Sequence, residues 1–336
     1  MRMCEAMRYD QFCNMKVPLV LLLCAALCPA QVVITSETDK VHVLIDGKPF
    51  TDFVLSGGDA MKPYLHPLRS ASGKVVTRYF PMETVADEPT DHPHQRGLWF
   101  AHEKVNGFDF WNNEANYKTT IRGRIVVDKI LSTKGGKNAG SITAQMSWND
   151  PSGIKLVDEQ RVMTFSKTKT LRMIDLDITL TATADKVTFA DTKDGVLGIR
   201  MARVLQEGKN TGRGITDDQP HTGMIRNAEG QEKEPAVWGK ASDWVDYTGT
   251  VDGEKLGIAI LDHPQNSRRA RWHVRAYGLF AANPFGRNTF AKEKGEDGSV
   301  VLDKGAKLHF RYRIVIHPGD AKDAGIASIW TAYSKK

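Results

Sequence analysis

Alternation of apolar and polar residues is the feature that most constrains the fold of this chain. It is strict over residues 174–181, and it returns over residues 308–316. Successive side chains of a β-strand point to opposite faces, so this pattern predicts strands with one face in a core and the other near water. Such strands are typical of antiparallel sandwiches rather than of parallel α/β sheets. Turn signals recur at short intervals, and the first of them, Asp46-Gly47, predicts a hairpin.

These patterns predict an all-β fold, a large antiparallel β-sandwich. The chain has 336 residues and shows neither an internal repeat nor a linker, so we predict one sandwich domain over residues 31–336. Strands are also expected over residues 74–80 and 272–279, and a long loop over residues 208–223.

A helix is predicted at the C-terminus, with Asp320 as its N-cap. Apolar residues recur there at helical spacing, at Ile326, Ile329, Trp330 and Tyr333. We expect this helix to cover the sheet.

Residues 1–30 have the pattern of a secretory signal peptide. A lysine precedes an apolar run over residues 17–27, and small residues precede a cut before Gln31. Met15 is the expected natural start. The apolar run is too short to span a bilayer comfortably, so we predict an exported protein, periplasmic or extracellular, without an integral membrane span after cleavage.

All four cysteines precede the predicted cut, so the mature chain has no thiol nucleophile and no disulfide. A lipoprotein acylated at Cys24 or Cys28 is the alternative to a free exported protein. The net charge is +6, and no basic block with interleaved aromatic residues is present, so nucleic acid is not an expected partner.

The first chemically rich segment is Asp91-His92-Pro93-His94-Gln95-Arg96-Gly97. Pro93 is expected to hold His92 in an extended conformation, in which residues two positions apart share a face. His92 and His94 are therefore candidate acid/base residues, and Arg96 a candidate substrate-binding residue. Two alternatives remain open: a hydrogen-bonded structural loop, and a metal site formed by His92, His94 and His102.

The strand that follows adds His102 and Glu103 as candidate catalytic residues. A histidine that continues an apolar face is more often a core residue than a catalyst, so the structural interpretation of His102 stays open. Trp99 and Trp111 are candidate stacking platforms for a sugar ring, because aromatic faces beside polar side chains are how proteins hold sugars.

A second rich segment runs from Asp262-His263-Pro264 to Asn283-Pro284-Phe285-Gly286. Its candidate catalytic residue is His273. Its candidate substrate-binding residues are His263, Arg271, Trp272, Arg275 and Asn283. The arginines predict a cationic wall for an anionic or hydroxyl-bearing group, and the alternative is a solvated strand face. We expect both segments to meet in one pocket.

Several motifs are missing from the sequence. It contains no phosphate-binding glycine-rich loop followed by lysine, no G-x-S-x-G and no H-E-x-x-H. No cofactor is therefore expected, apart from the alternative histidine-bound divalent metal.

The segments Asp91–His102 and Trp272–Gly286 resemble the signatures of a bacterial family labelled the PmoA family, and the resemblance extends over nearly all of the mature chain. The label implies the membrane subunit of a methane monooxygenase. Such a subunit needs several membrane-spanning helices, whereas this chain has one short apolar segment followed by amphipathic strands. In general layout the chain is similar to the supersandwich proteins of the mutarotase-like kind, an analogy of fold that does not fix function.

The leading hypothesis is an exported carbohydrate-active enzyme, a hydrolase, lyase or epimerase, that acts on a sugar or sugar acid through histidine acid/base catalysis and arginine anion binding. Its expected partner is a small-molecule or oligosaccharide substrate. The second hypothesis is a non-catalytic glycan-binding module that uses the same cleft. The third is a histidine-ligated metalloenzyme or oxygenase, as the family label suggests.

Overall fold

The computed structural model describes residues 31–208, 220–291 and 297–336, so the predicted signal peptide and most of the predicted loop 208–223 lie outside the described residues. The strands of the described part are β1 Val32–Ser36, β2 Lys40–Ile45, β3 Lys48–Val54, β4 Tyr64–His66, β5 Leu98–His102, β6 Arg124–Lys134, β7 Ala139–Asn149, β8 Lys155–Lys167, β9 Arg172–Ala182, β10 Lys186–Phe189, β11 Gly195–Arg200, β12 Met224–Asn227, β13 Trp244–Val251, β14 Glu254–Asp262, β15 Arg271–Val274, β16 Leu279–Asn283, β17 Val300–Asp303 and β18 Lys307–Pro318.

The helical elements of the described part are short. They are a 3₁₀ turn at Arg203–Leu205, α1 Glu234–Val237, α2 Arg287–Ala291 and α3 Ile326–Tyr333. None of these helices is long and apolar enough to cross a membrane.

Two eight-stranded antiparallel sheets form the sandwich, which confirms the predicted fold class. The first has the order β1-β2-β3-β4-β5-β11-β16-β15, and the second has the order β12-β13-β14-β18-β9-β8-β7-β6. Strands β10 and β17 form a small separate ladder. The predicted hairpin at Asp46-Gly47 joins β2 to β3, and both turn residues have positive φ.

Aromatic side chains of the two sheets meet in a common core. Phe100 of the first sheet contacts Trp148 and Phe310 of the second, each with ring centroids 6.2 Å apart. Tyr247 and Phe280 make a similar contact at 6.1 Å further along the sandwich. The alternation seen in the sequence therefore places one face of each sheet between the two layers.

The C-terminal helix α3 covers the outer face of the second sheet, as predicted. Its Ile326 and Tyr333 pack on Trp244 and Leu261. Asp320 is not its N-cap. The Asp320 carboxylate accepts hydrogen bonds from the amides of Lys322 and Asp323, in the turn before the helix, and the helix begins after Gly325.

Two further strand predictions were wrong. Residues 74–80 make only isolated bridges, since this stretch crosses between β4 and β11 without a continuous partner. Residues 272–279 do not form one strand, because the chain turns at Gly278, where φ is +91°, and β15 and β16 pair with each other instead.

Candidate functional site

One cross-strand row organises the outer face of the first sheet. Its members are paired in the order His273, Ala281, Gly198, Trp99 and Tyr64. Directly paired residues of antiparallel strands project from the same face, and the alternate residues of these strands enter the core. The row therefore faces away from the second sheet. Ala281 and Gly198, which stand between His273 and Trp99, carry the smallest side chains of the row.

His273 is oriented by a carboxylate from the neighbouring part of the sheet. Asp194 lies directly before β11, and its Oδ1 is 3.2 Å from His273 Nδ1. Lys193 Nζ lies 2.6 Å from the other oxygen of Asp194. Burial opposes ionisation of Asp194, but its contacts with the His273 imidazole and with Lys193 outweigh it and hold the pKa of this carboxyl well below its usual range.

Both ring nitrogens of His273 are buried and lack hydrogen bonds. The side chain is only 2% exposed, and neither Nδ1, in its 3.2 Å contact with Asp194, nor Nε2 makes a well-aligned hydrogen bond among residues 31–208, 220–291 and 297–336. Buried polar atoms are normally paired, so the unpaired Nε2 marks a candidate ligand-binding position. Trp99 Nε1, in the same row, also has no partner within those ranges.

The His92–Gln95 segment is a tight turn, not an extended strand. The Gln95 amide donates to the His92 carbonyl at 3.0 Å, and His92 has φ +46°. Arg78 Nη2 donates to the same carbonyl at 2.9 Å. The prediction that Pro93 would hold His92 extended was wrong, because these hydrogen bonds stabilise the left-handed conformation against the usual preference.

His92 and His94 nevertheless project together, with ring centroids 5.6 Å apart. His92 also stacks on Tyr277 of the β15–β16 turn, with centroids 5.5 Å apart and ring planes within 9° of each other. The negative charge of Asp194 acts on His94. The two sequence segments thus meet at Tyr277 and Asp194.

His94 is a neutral imidazole near pH 7. Its Nδ1 lies 2.7 Å from the Tyr117 hydroxyl. Burial, followed by the positive charges of Lys62 and His92, lowers its pKa well below the ordinary value. This histidine can hydrogen-bond a ligand without carrying charge.

A buried ion network anchors the loop that carries these histidines. Asp91 Oδ1 lies 2.9 Å from Arg78 Nη1 and 3.1 Å from Arg200 Nη2. Arg200 also donates to the Gln95 side chain and lies over the Tyr277 ring, 4.7 Å from its centroid. Charge-assisted hydrogen bonds of this kind fix both ends of the loop.

Two further ionisable groups border the site. Lys62 is buried and donates to the Trp111 carbonyl and to Asn113, and burial lowers its pKa to about 7. Glu103 has a raised pKa because of burial first and the negative charges of Asp194 and Asp109 second. Glu103 therefore lies near the Asp194 side of the site.

Two predicted catalytic or binding histidines lie elsewhere. His102 points into the layer between the sheets, with its ring 4.8 Å from that of Phe285, and its Nε2 lies 2.8 Å from the Ala190 carbonyl. Strand alternation places it on the face opposite to Trp99. His263 packs on Tyr333 of the C-terminal helix, at the second sheet. Neither belongs to the site, and both are structural.

Three other predicted binding residues also have structural contacts. Trp272 is fully buried in the core, where its Nε1 donates to Ser242 O at 3.0 Å. Asn283 donates to the Thr192 carbonyl at 2.7 Å and accepts from the Phe285 amide at 2.8 Å. Arg271 donates to the Gly239 carbonyl at 3.0 Å on the edge strand. Trp272 cannot stack on a sugar, because its position in β15 faces the core.

Trp99 and Trp111 lie at the site but expose no ring face. Both are fully buried, with ring centroids 4.9 Å apart. A Cβ atom at Gly198 would lie 2.5 Å from Trp99 Cζ2, so the indole rests directly on the strand. The prediction of open stacking platforms was wrong, because neither indole ring is exposed.

The two remaining arginines are already paired with carboxylates. Arg96 makes a two-pronged pair with Glu114, and it turns away from His94 toward a separate cleft. Arg275 Nε lies 2.7 Å from Glu234, and its guanidinium stands over Tyr277 at the rim. Neither arginine presents an uncompensated positive charge.

The predicted metal set is not assembled, because His102 lies on the opposite face from the site. No group of three His, Asp or Glu side chains is arranged to hold a metal ion within the described ranges. The residues at the site fit proton transfer and hydrogen bonding.

Comparisons with known proteins give a family and several distant structural likenesses. Residues 40–331 match the model of a family of unknown function, DUF6807. No curated protein sequence matches the chain.

Similar solved structures include a GH36 alpha-galactosidase of Geobacillus stearothermophilus, which is 10% identical with a TM-score of 0.38 over 86% of this chain. The chain spans only 40% of that galactosidase. A galactose mutarotase related enzyme of Lactobacillus acidophilus is 8% identical, with 85% of this chain and 97% of that chain covered and a TM-score of 0.35. A GalM/aldose epimerase homologue of C. elegans is 9% identical, with 86% and 98% covered and a TM-score of 0.34.

Proposed function

We propose that this chain, which belongs to the DUF6807 family of unknown function, is an exported enzyme that takes protons from a sugar and returns them to it. The proton acceptor is His273, Asp194 is its orienting carboxylate, and His94 is a neutral hydrogen-bonding partner for the substrate. His92 and Tyr277 form one wall of the site.

The arrangement of His273 carries this proposal. A carboxylate at one ring nitrogen fixes the tautomer and stabilises the imidazolium that forms when the other nitrogen takes a proton. Here Asp194 occupies the Nδ1 side, and the buried Nε2 lacks a protein partner in the described ranges. A hydroxyl or an acidic carbon–hydrogen bond of a substrate over Ala281 would meet this nitrogen.

The charges around the site favour a neutral, hydroxyl-bearing substrate over an anion. Arg96 and Arg275 each have a carboxylate partner, so the cationic wall expected from the sequence is neutralised. The ring nitrogens of Trp99 and His273 are among the buried atoms of the described residues that lack hydrogen bonds, and such atoms suit single hydroxyl groups.

The pairing of a neutral imidazole, His94, with a second base, His273, favours epimerase or lyase chemistry. A buried neutral imidazole such as His94 can polarise an oxygen while a second base removes a proton. A specific observation supports hydrolysis as the second candidate. The Glu103 amide donates to the Asp194 carbonyl at 2.8 Å, so the two residues are neighbours, and the pKa of Glu103 is raised whereas that of Asp194 is lowered. Glycosidases use two carboxyl groups with such different pKa values as acid and base.

Replacement of His273 by alanine tests the proposal. The purified protein should be incubated with a panel of neutral mono- and disaccharides, with NMR detection of epimers, unsaturated products and released sugars. We expect turnover in the wild type and in His309→Ala, a control at an exposed histidine, and a loss of about a thousandfold in His273→Ala. Sugar binding without turnover in the wild type would overturn the catalytic role and leave a glycan-binding module.

A further inference from the structure

A concave region lies beside the loop that carries His92 and His94. A cleft of about 570 Å³ is lined by Tyr64, Met82, Pro93 and Arg96, among others. Pro93 lies between His92 and His94 in sequence, so one loop has histidines on the catalytic side and a proline on the cleft side. The size of the cleft lies within the usual range for small-molecule sites.

The cleft combines a half-buried apolar wall with a polar one. Phe80, Pro81 and Met82 form the apolar wall, and Glu114 and Asn116 belong to the polar wall. An apolar surface opposite hydrogen-bonding groups matches the two kinds of face that a sugar ring presents.

The polar wall carries no net charge at its buried end. Arg96 is paired with Glu114, and its guanidinium lies over the Tyr64 ring, 5.7 Å from the centroid. The side chains of both members of the ion pair are less than one-tenth exposed. A charged ligand would have to break this buried pair. A neutral hydroxyl group can instead hydrogen-bond to the remaining lone pairs of the Glu114 carboxylate or the remaining N–H groups of Arg96.

The distance between the two regions exceeds one sugar ring. Tyr64 and His273 stand at opposite ends of the cross-strand row, and four strand spacings of the usual size place their Cα atoms about 19 Å apart. A ligand that reaches both must contain more than one ring.

We infer that this cleft is a subsite for a second, neutral sugar unit, so that the substrate is an oligosaccharide or glycoside that lies across Pro93. This inference rests on the proposed function, because it assigns the first unit of the same molecule to the site at His273.

Replacement of Asn116 by tryptophan fills the cleft without touching the catalytic side chains. Asn116 is exposed, and its side-chain amide donates to the Asp59 carboxylate at 3.1 Å. Lys118→Trp is the matched control, since Lys118 is exposed two residues away and does not line the cleft. Calorimetric titration should compare neutral disaccharides with their constituent monosaccharides.

We expect the wild type and Lys118→Trp to bind a disaccharide about tenfold more tightly than either monosaccharide, and Asn116→Trp to lose this gain with monosaccharide affinity unchanged. A gain that persists in Asn116→Trp, or monosaccharide binding without any gain, would overturn the subsite and leave the proposed function intact. Absence of binding by every sugar tested would overturn the proposed function and the subsite with it.

Discussion

Asp194 Oδ1 lies 3.2 Å from His273 Nδ1, and the two side chains are 9% and 2% exposed. The imidazole belongs to β15 and the carboxylate to the residue before β11, and these two strands are separated by β16 in the sheet. Because this contact depends on the charge of Asp194, replacement by asparagine, which has the same shape without the charge, tests its role.

Asp194→Asn should lower kcat by about a hundredfold to ten-thousandfold with little change in KM, because the amide leaves the imidazole in the wrong tautomer without removing contacts to the substrate. Steady-state kinetics on the active sugar check this expectation. An unchanged kcat would remove the orienting role of Asp194.

Asp194→Asn should also change the stability of the fold, in a direction that depends on pH. The folded-state pKa of Asp194 is depressed, so its charge stabilises the folded protein above the unfolded pKa of about 3.9, and this contribution is lost as the pH falls through the folded value. Urea unfolding should show wild type more stable than Asp194→Asn at pH 7, with the difference shrinking below about pH 4.

The buried pair His317–Asp246 should behave in the opposite sense. Its Nε2–Oδ1 distance is 2.9 Å, and burial opposes protonation of His317, but Asp246 outweighs it and raises the pKa. A raised folded-state pKa contributes stability below the unfolded value of about 6.5, and this is lost as the pH rises through the folded value.

Asp246→Asn should therefore cost on the order of 3 kcal/mol of unfolding free energy at pH 5.5 and less at pH 9. Asp177→Asn is the control, because the His309–Asp177 pair is about half exposed and should contribute little at either pH. An Asp246→Asn penalty that grows with pH would contradict the assignment.

Asp91 holds two buried guanidinium groups, Arg78 and Arg200, at the base of the histidine loop. Asp91→Ala should cost about 3–5 kcal/mol of stability, because it leaves both charges without a carboxylate. Denaturant titration gives the cost, and Asp87→Asn in the exposed part of the preceding loop serves as the control, because asparagine tolerates the positive φ of this position.

Two substitutions at His92 test whether the surrounding structure imposes the left-handed backbone conformation at this position. Its φ of +46° is unfavourable for residues other than glycine. We expect His92→Gly to be about 1 kcal/mol more stable than His92→Ala, since glycine adopts this conformation freely. Chemical unfolding of both variants measures the difference, and equal stabilities would show that the turn relaxes on loss of the imidazole.

The fold followed from the sequence because alternation and turn chemistry are local. The meeting of His92 and His94 with the later segment was also expected from their chemistry, although its route through Tyr277 was not. Asp194 was missed, because it stands in an ordinary turn sequence and gains its role only when β11 and β16 bring it beside His273.

Burial was the least predictable property. Trp99, Trp111 and Trp272 have the residue type of sugar platforms, but the direction of each side chain and the loops above it decide whether a face is open. His102 could have been placed from the apolar strand that it continues. Lys62 gave no sequence signal, because a lone lysine before proline is usually a solvated residue.

Gly198 shows how the proposed function could be lost with every imidazole intact. A methyl group there would meet the Trp99 ring at 2.5 Å and Trp111 at 2.8 Å, so both indoles would have to shift. That shift would disturb the sheet face that carries His273. A chain with a larger residue at position 198 would need a different arrangement of both indoles, so this single position separates chains that can share the present site from those that cannot.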